Sequence, residues 1–188
     1  MDQMTREHVE NIRSQDRDLQ NKAFFYVIEA TDKPVDWAYE VWDKMVAALT
    51  DQDNHNRAIA AQVLCNLAKS DSENRILKDF DALLAITKDK RFVTARHCMQ
   101  NIWKVGTAGK PQQQKLVDGL VGRFKECSTE KNCTLIRYDI IQRLKNLYDA
   151  VKDEKIREKA LALIETEEDL KNRKKYVSVW KLRSKGIS

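Results

Sequence analysis

One basic residue returns five times along the chain, at Lys22, Arg57, Arg96, Arg137 and Arg173, at intervals of 35, 39, 41 and 36 residues. A period of this length constrains the fold more than any single motif, because it marks one small structural unit used repeatedly. Three residues after each basic position stand Phe25, Ala60, Met99, Ile140 and Tyr176, all apolar or aromatic. Six after stand Ile28, Val63, Ile102, Arg143 and Val179, and seven after stand Glu29, Leu64, Trp103, Leu144 and Trp180. Each of these two columns is apolar in four units of five, which is the buried stripe of an α-helix. Four residues before the basic position, Asp18, Asp53 and Asp169 recur in three units.

Other helices lie between these. Val41, Trp42, Met45, Val46 and Leu49 form an amphipathic stripe, as do Ile76, Leu77, Phe80, Leu83 and Leu84, and Leu116, Val117, Leu120, Val121 and Phe124. Breaks fall at Asp32–Pro34, Asp51–Asp53, Ser70–Ser72, Lys88–Lys90, Gly106–Pro111, Ser128–Asn132 and Asp153. Links this short join antiparallel neighbours. The segment DEKIREKALALI at 153–164 also fits the second-helix pattern, but placing it there leaves a unit of 20 residues, so it reads as the first helix of the fifth unit. With only five Gly and two Pro, the chain lacks the turn residues of an all-β protein. The expectation is an all-α chain of ten helices in five antiparallel pairs, without a sheet. The units are approximately 1–33, 34–70, 71–108, 109–150 and 151–188, in one domain over 1–188.

An Asp before the second helix, an Arg or Lys shortly after it and a Leu/Ile/Val stripe together resemble the HEAT-repeat superfamily, over almost the whole length. Armadillo repeats fit less well because they add a third helix per unit. The resemblance implies an α-α superhelix, an α-solenoid whose second helices line a concave side and whose units touch only their neighbours. It also implies a structural ladder, with Asp18, Asp53 and Asp169 supplying carboxylates near Lys22, Arg57 and Arg173. Arg96 and Arg137 belong to the same column but have Phe92 and Cys133 at the Asp position. Trp103 and Trp180, in the column of Leu64 and Leu144, are expected in the core.

No pattern for catalysis is present: no GxSxG, no HExxH, no phosphate-binding glycine loop and no zinc-deaminase signature. His97 and Cys98 are adjacent on one helix, where consecutive side chains diverge by about 100°, so they do not form a nucleophile–base pair. The HEAT-like DNA glycosylases resemble the chain in fold class only, since the expected concave columns hold Tyr138 but no acid. Cys65, Cys98, Cys127 and Cys133 lack metal-ligand spacing. Cys127 and Cys133 flank the turn STEKN, the one place where a redox or metal role has to be weighed. The expectation is no enzyme, no cofactor and no metal. No apolar run spans a membrane, and the opening MDQMTREHVENIRSQDRD lacks a secretory signal's apolar stretch, so a monomer in the cytoplasm is expected.

What remains is binding. The net charge is +5, yet residues 171–188 alone carry seven Lys/Arg and no acid, leaving −2 for the first 170. The segment KNRKKYVSVWKLRSKGIS reads as a terminal cap helix whose apolar side includes Tyr176, Val177, Val179 and Trp180. One, five and eight residues after the basic position, each second helix presents a separate stripe. It is small and apolar in the first two units (Ala23, Val27, Ala30; Ala58, Gln62, Cys65) and polar to basic in the last three: His97, Asn101, Lys104; Tyr138, Gln142, Lys145; Lys174, Ser178, Lys181. These nine residues are the candidate partner-binding surface. The expected function is a scaffold for a protein partner with an acidic segment; the alternative is nucleic acid or another polyanion.

Overall fold

The computed structural model describes residues 1–180. Among them are ten α-helices and no strand. They are α1 (Gln3–Asn11), α2 (Arg17–Ala30), α3 (Ala38–Ala48), α4 (Asn54–Leu67), α5 (Arg75–Ile86), α6 (Phe92–Asn101), α7 (Lys110–Glu126), α8 (Cys133–Val151), α9 (Glu154–Glu165) and α10 (Leu170–Trp180). Short 3₁₀ turns extend α4 over Ala68–Ser70, α6 over Ile102–Thr107 and α7 over Cys127–Thr129. No described helix is long and apolar enough to cross a membrane.

Aspartates start most of these helices. The side chains of Asp2, Asp16, Asp53 and Asp153 each accept a backbone N–H from the first turn of α1, α2, α4 and α9. Asp71 does the same for α5 from farther back, accepting the N–H groups of Arg75 and Ile76. Asn74 between them takes φ 57°, a left-handed conformation that asparagine tolerates.

Two compact units result, Met1–Leu116 and the residues from Val117 onward. In the first, α1 packs on α2, α3 on α4 and α5 on α6, and the second helices also pack in series, α2 on α4 and α4 on α6. Hairpins stacked through like helices are the arrangement of an α-solenoid. α4 lies at the centre of this unit, and every residue from Asn56 to Ala61 and from Val63 to Leu67 is buried. Its alanines allow that crowding: Ala58, Ala60 and Ala61 leave room for neighbouring helices to approach closely. In the second unit, α8 packs against both α9 and α10. Ile140, Ile141, Leu144 and Leu147 of α8 and Ile156, Ala160, Leu163 and Ile164 of α9 are all buried.

Three features differ from the periodicity reading. First, the α2 register is shifted. Its buried residues are Gln20, Ala23 and Val27, while Lys22 is exposed and Phe25 is 68% exposed. Asp16 begins α2 as Asp53 begins α4, so Gln20, four residues on, is the counterpart of Arg57. The first hairpin therefore carries an amide, and not a base, at the repeated position. Second, Trp103 is only partly buried. It lies in the 3₁₀ turn after α6, where Ile102 and Val105 are buried at three-residue spacing and Gly106 is buried beside Val105. That turn advances about 120° per residue rather than 100°, so the α-helical column no longer points inward. Third, Trp180 is also partly buried, and the tryptophan at full depth is Trp42, whose Nε1 donates to Asp79 at 2.8 Å.

Candidate ligand-facing surface

Arg57 and Arg137 form ion pairs that join successive hairpins, with other carboxylates than those expected four residues before each basic position. Arg57 donates from Nε and Nη2 to Asp89 at 2.6 and 2.9 Å, and from Nη1 to the carbonyls of Asp51 and Gln52. Arg137 repeats the pattern in the second unit, donating to the Phe124 carbonyl and to Glu167 at 3.0 Å. Asp89 and Glu167 both lie in the turn just before the next second helix. Asp53 meets Arg17 at 2.7 Å rather than Arg57. Burial opposes ionisation of Asp53, but the His55 N–H and the Arg17 guanidinium outweigh it and hold its pKa at about 2. Arg173 donates to the carbonyls of Glu167 and Glu165, and Asp169 caps α10 through the Asn172 N–H. Asp18 is exposed in the first turn of α2, and Arg96 is half-buried on α6.

The stripe expected to face a partner divides by unit. In the first it is largely packing. Ala23, Val27, Ala58 and Cys65 are buried. Asn101 donates to Gln62 at 3.2 Å, tying α6 to α4 through the same column. Lys104 donates to Asn66 at 2.7 Å, and Asn66 in turn donates to Thr31 and to the Ile28 carbonyl. Burial pulls the Lys104 ammonium below its usual pKa range. His97 is exposed. Stacked second helices bury the side chains between them, so this stripe holds α2, α4 and the α6 turn together.

In the second unit the same column is lined with rings and ammonium groups. Tyr138 lies under the Lys175 ammonium at 4.5 Å and 6.5 Å from the Tyr176 ring. Tyr148 and Trp180 are 5.5 Å apart, and Lys145 lies 5.8 and 5.7 Å from their centroids. Lys152 is 5.6 Å from the Tyr148 ring. Asp149 pairs with Lys145 and Lys152, and the Tyr148 hydroxyl donates to Glu154 at 2.7 Å. Gln142 donates to Asn146 along α8, while Lys174 and Ser178 are exposed on α10. Lys181 lies outside the described residues, as does the rest of the segment from 181 to 188.

Lys152, Tyr148 and Lys175 stand outside the stripe one, five and eight residues after the basic position. An i, i+3 and i+4 count around Lys145 finds Tyr148 and Asp149, so that part of the signal is local. Lys175 over Tyr138 depends on the approach of α10 to α8. Among the described residues no group of three or more His, Cys, Asp or Glu is placed to hold a metal ion.

No family model and no curated protein matches the chain. Among solved structures it is similar to a designed armadillo repeat protein in complex with the peptide (KR)4. The two share 15% identity over 96% of this chain and 100% of that one, with a TM-score of 0.46.

Proposed function

We propose that the chain is a non-catalytic, HEAT-like binding scaffold that docks an acidic protein segment on the lysine–aromatic surface of α8 and α10. The repeats are the five helix pairs bounded near 33, 70, 108 and 150. Their two-helix form supports HEAT over armadillo.

The observation that carries the reading is where the charge sits. Residues 1–116 contain 17 Lys/Arg and 17 Asp/Glu, whereas residues 117–188 contain 17 and 12, so the whole excess of +5 belongs to the second unit. There Lys145, Lys152 and Lys175 lie against the rings of Tyr148, Trp180 and Tyr138. Aromatic faces hold such ammonium groups in place at little entropic cost, and an incoming carboxylate then meets a prepared surface. Asp149 and Glu154 stand among the lysines. Carboxylates spaced along a peptide can avoid them, while a continuous phosphate backbone meets repulsion.

The test measures the fluorescence anisotropy of a dye-labelled Glu-rich peptide and, separately, of a labelled single-stranded oligonucleotide as the protein is titrated in. The expected result is peptide binding that weakens with salt and drops at least tenfold in a Lys145→Glu, Lys152→Glu, Lys175→Glu variant of unchanged helicity. Equal peptide affinity of parent and variant overturns the site. Tighter binding of the oligonucleotide, with a steep log–log salt slope, replaces the peptide by nucleic acid.

A further inference from the structure

We propose that Cys127 and Cys133 form a reversible intramolecular disulfide, making the turn between α7 and α8 a thiol–disulfide switch. Their sulfur atoms stand 2.8 Å apart in the thiol state. A disulfide bond is about 2.05 Å long, so bond formation needs little movement of either side chain. The two thiols differ in access. Cys127 is fully buried, with its Sγ against the Phe124 carbonyl at 3.4 Å, whereas Cys133 is partly exposed as the first residue of α8. Cys65 and Cys98 are fully buried inside the first unit.

That asymmetry orders the chemistry with a small disulfide such as oxidised glutathione. The Cys133 thiolate attacks one glutathione sulfur, forms a mixed disulfide and releases the first glutathione thiolate, which takes up the Cys133 proton from solvent. The Cys127 sulfur then attacks the Cys133 sulfur. The second glutathione leaves with the electron pair of the broken bond and receives the Cys127 proton. Two protein thiols are oxidised, and one glutathione disulfide is reduced to two thiols. Burial and the hydrogen bond with Cys133 raise the Cys127 pKa to about 12, which disfavours Cys127 as the first attacker. The charges of Arg137 and Arg123 act in the opposite direction and assist its ionisation in the second step.

The bond would close a loop around Glu130, whose carboxylate holds the buried Arg123 guanidinium at 2.5 and 2.8 Å. It would also fix the start of α8, where Arg137 reaches the Phe124 carbonyl and the Thr134 carbonyl accepts from Tyr176. The switch is independent of the binding proposal.

The experiment equilibrates the full chain at set ratios of reduced to oxidised glutathione, alkylates remaining thiols under denaturing conditions and maps the peptides by mass. The expected result is an internal Cys127–Cys133 link, two mass units lighter than the dithiol, reversed by excess reduced glutathione. Cys133→Ser should abolish the link, and Cys127→Ala should leave a single glutathione adduct on Cys133. Free thiols at every ratio, glutathione adducts on both cysteines of the parent, or a link that excess reduced glutathione does not open would each overturn the switch.

Discussion

Arg57 of α4 and Asp89 of the turn before α6 form a two-pronged ion pair with both side chains more than nine-tenths buried. Thirty-two residues separate them, so the pair joins the second hairpin to the third. Removing one partner leaves the other charge buried without compensation, which costs about 3–5 kcal/mol. Asp89→Ala should lose that much in urea unfolding. The double variant Arg57→Met, Asp89→Leu should lose clearly less, since neither charge then remains.

The same pair sets an acid limit. Hydrogen bonding to Arg57 is the main cause holding the Asp89 carboxyl below its usual value of 3.8, and Asp53 is held at about 2. A carboxylate whose folded pKa is depressed contributes stability that is complete above the unfolded value and lost as pH falls through the folded one. Urea midpoints should therefore fall between roughly pH 4 and pH 2. The gap between the parent and Asp89→Asn should narrow over that window. A gap independent of pH would remove the carboxylate from the account.

Trp42 and Trp103 make an internal comparison. Trp42 is fully buried and donates to Asp79, while Trp103 is partly exposed. Trp42→Ala should cost about 3–5 kcal/mol in thermal or chemical unfolding. Trp103→Ala should cost visibly less. Equal losses would mean that Trp103 carries core packing despite its exposure.

Tyr176 anchors α10. Its ring is fully buried beside Phe124, and its hydroxyl donates to the Thr134 carbonyl at 3.0 Å. Tyr176→Phe keeps the packing and removes one hydrogen bond, so about 1 kcal/mol should be lost. Tyr176→Ala should lose about 3–5 kcal/mol, as for other large-to-small core changes. Calorimetric scans of the two variants separate the contributions.

Lys152 follows α8 with φ 53°, in the left-handed region that side chains other than Gly or Asn disfavour. Lys152→Gly should raise stability by about 0.5–1 kcal/mol, because glycine suits this end of a helix. It should also weaken acidic-peptide binding, since one ammonium of the proposed surface is gone. A destabilised Lys152→Gly would contradict the assigned backbone strain.

By itself the sequence determined the helices, their number and nearly every break, because apolar spacing and aspartate caps act within a few residues of chain. The two breaks left out, before Asp16 and after Thr166, lie in polar stretches without Gly or Pro. Tertiary structure decided the rest. Asn101 and Lys104 sit on the column expected to face a partner, yet α6 and its turn lie against α4, so these side chains bond Gln62 and Asn66. Arg57 has an aspartate four residues before it, but it pairs with Asp89, because stacking places the next hairpin's turn nearer than its own helix cap. A column in the sequence fixes the direction of a side chain from its own helix. Which atoms wait there depends on the neighbouring helix, and that neighbour lies 30 to 40 residues away, where local periodicity carries no information.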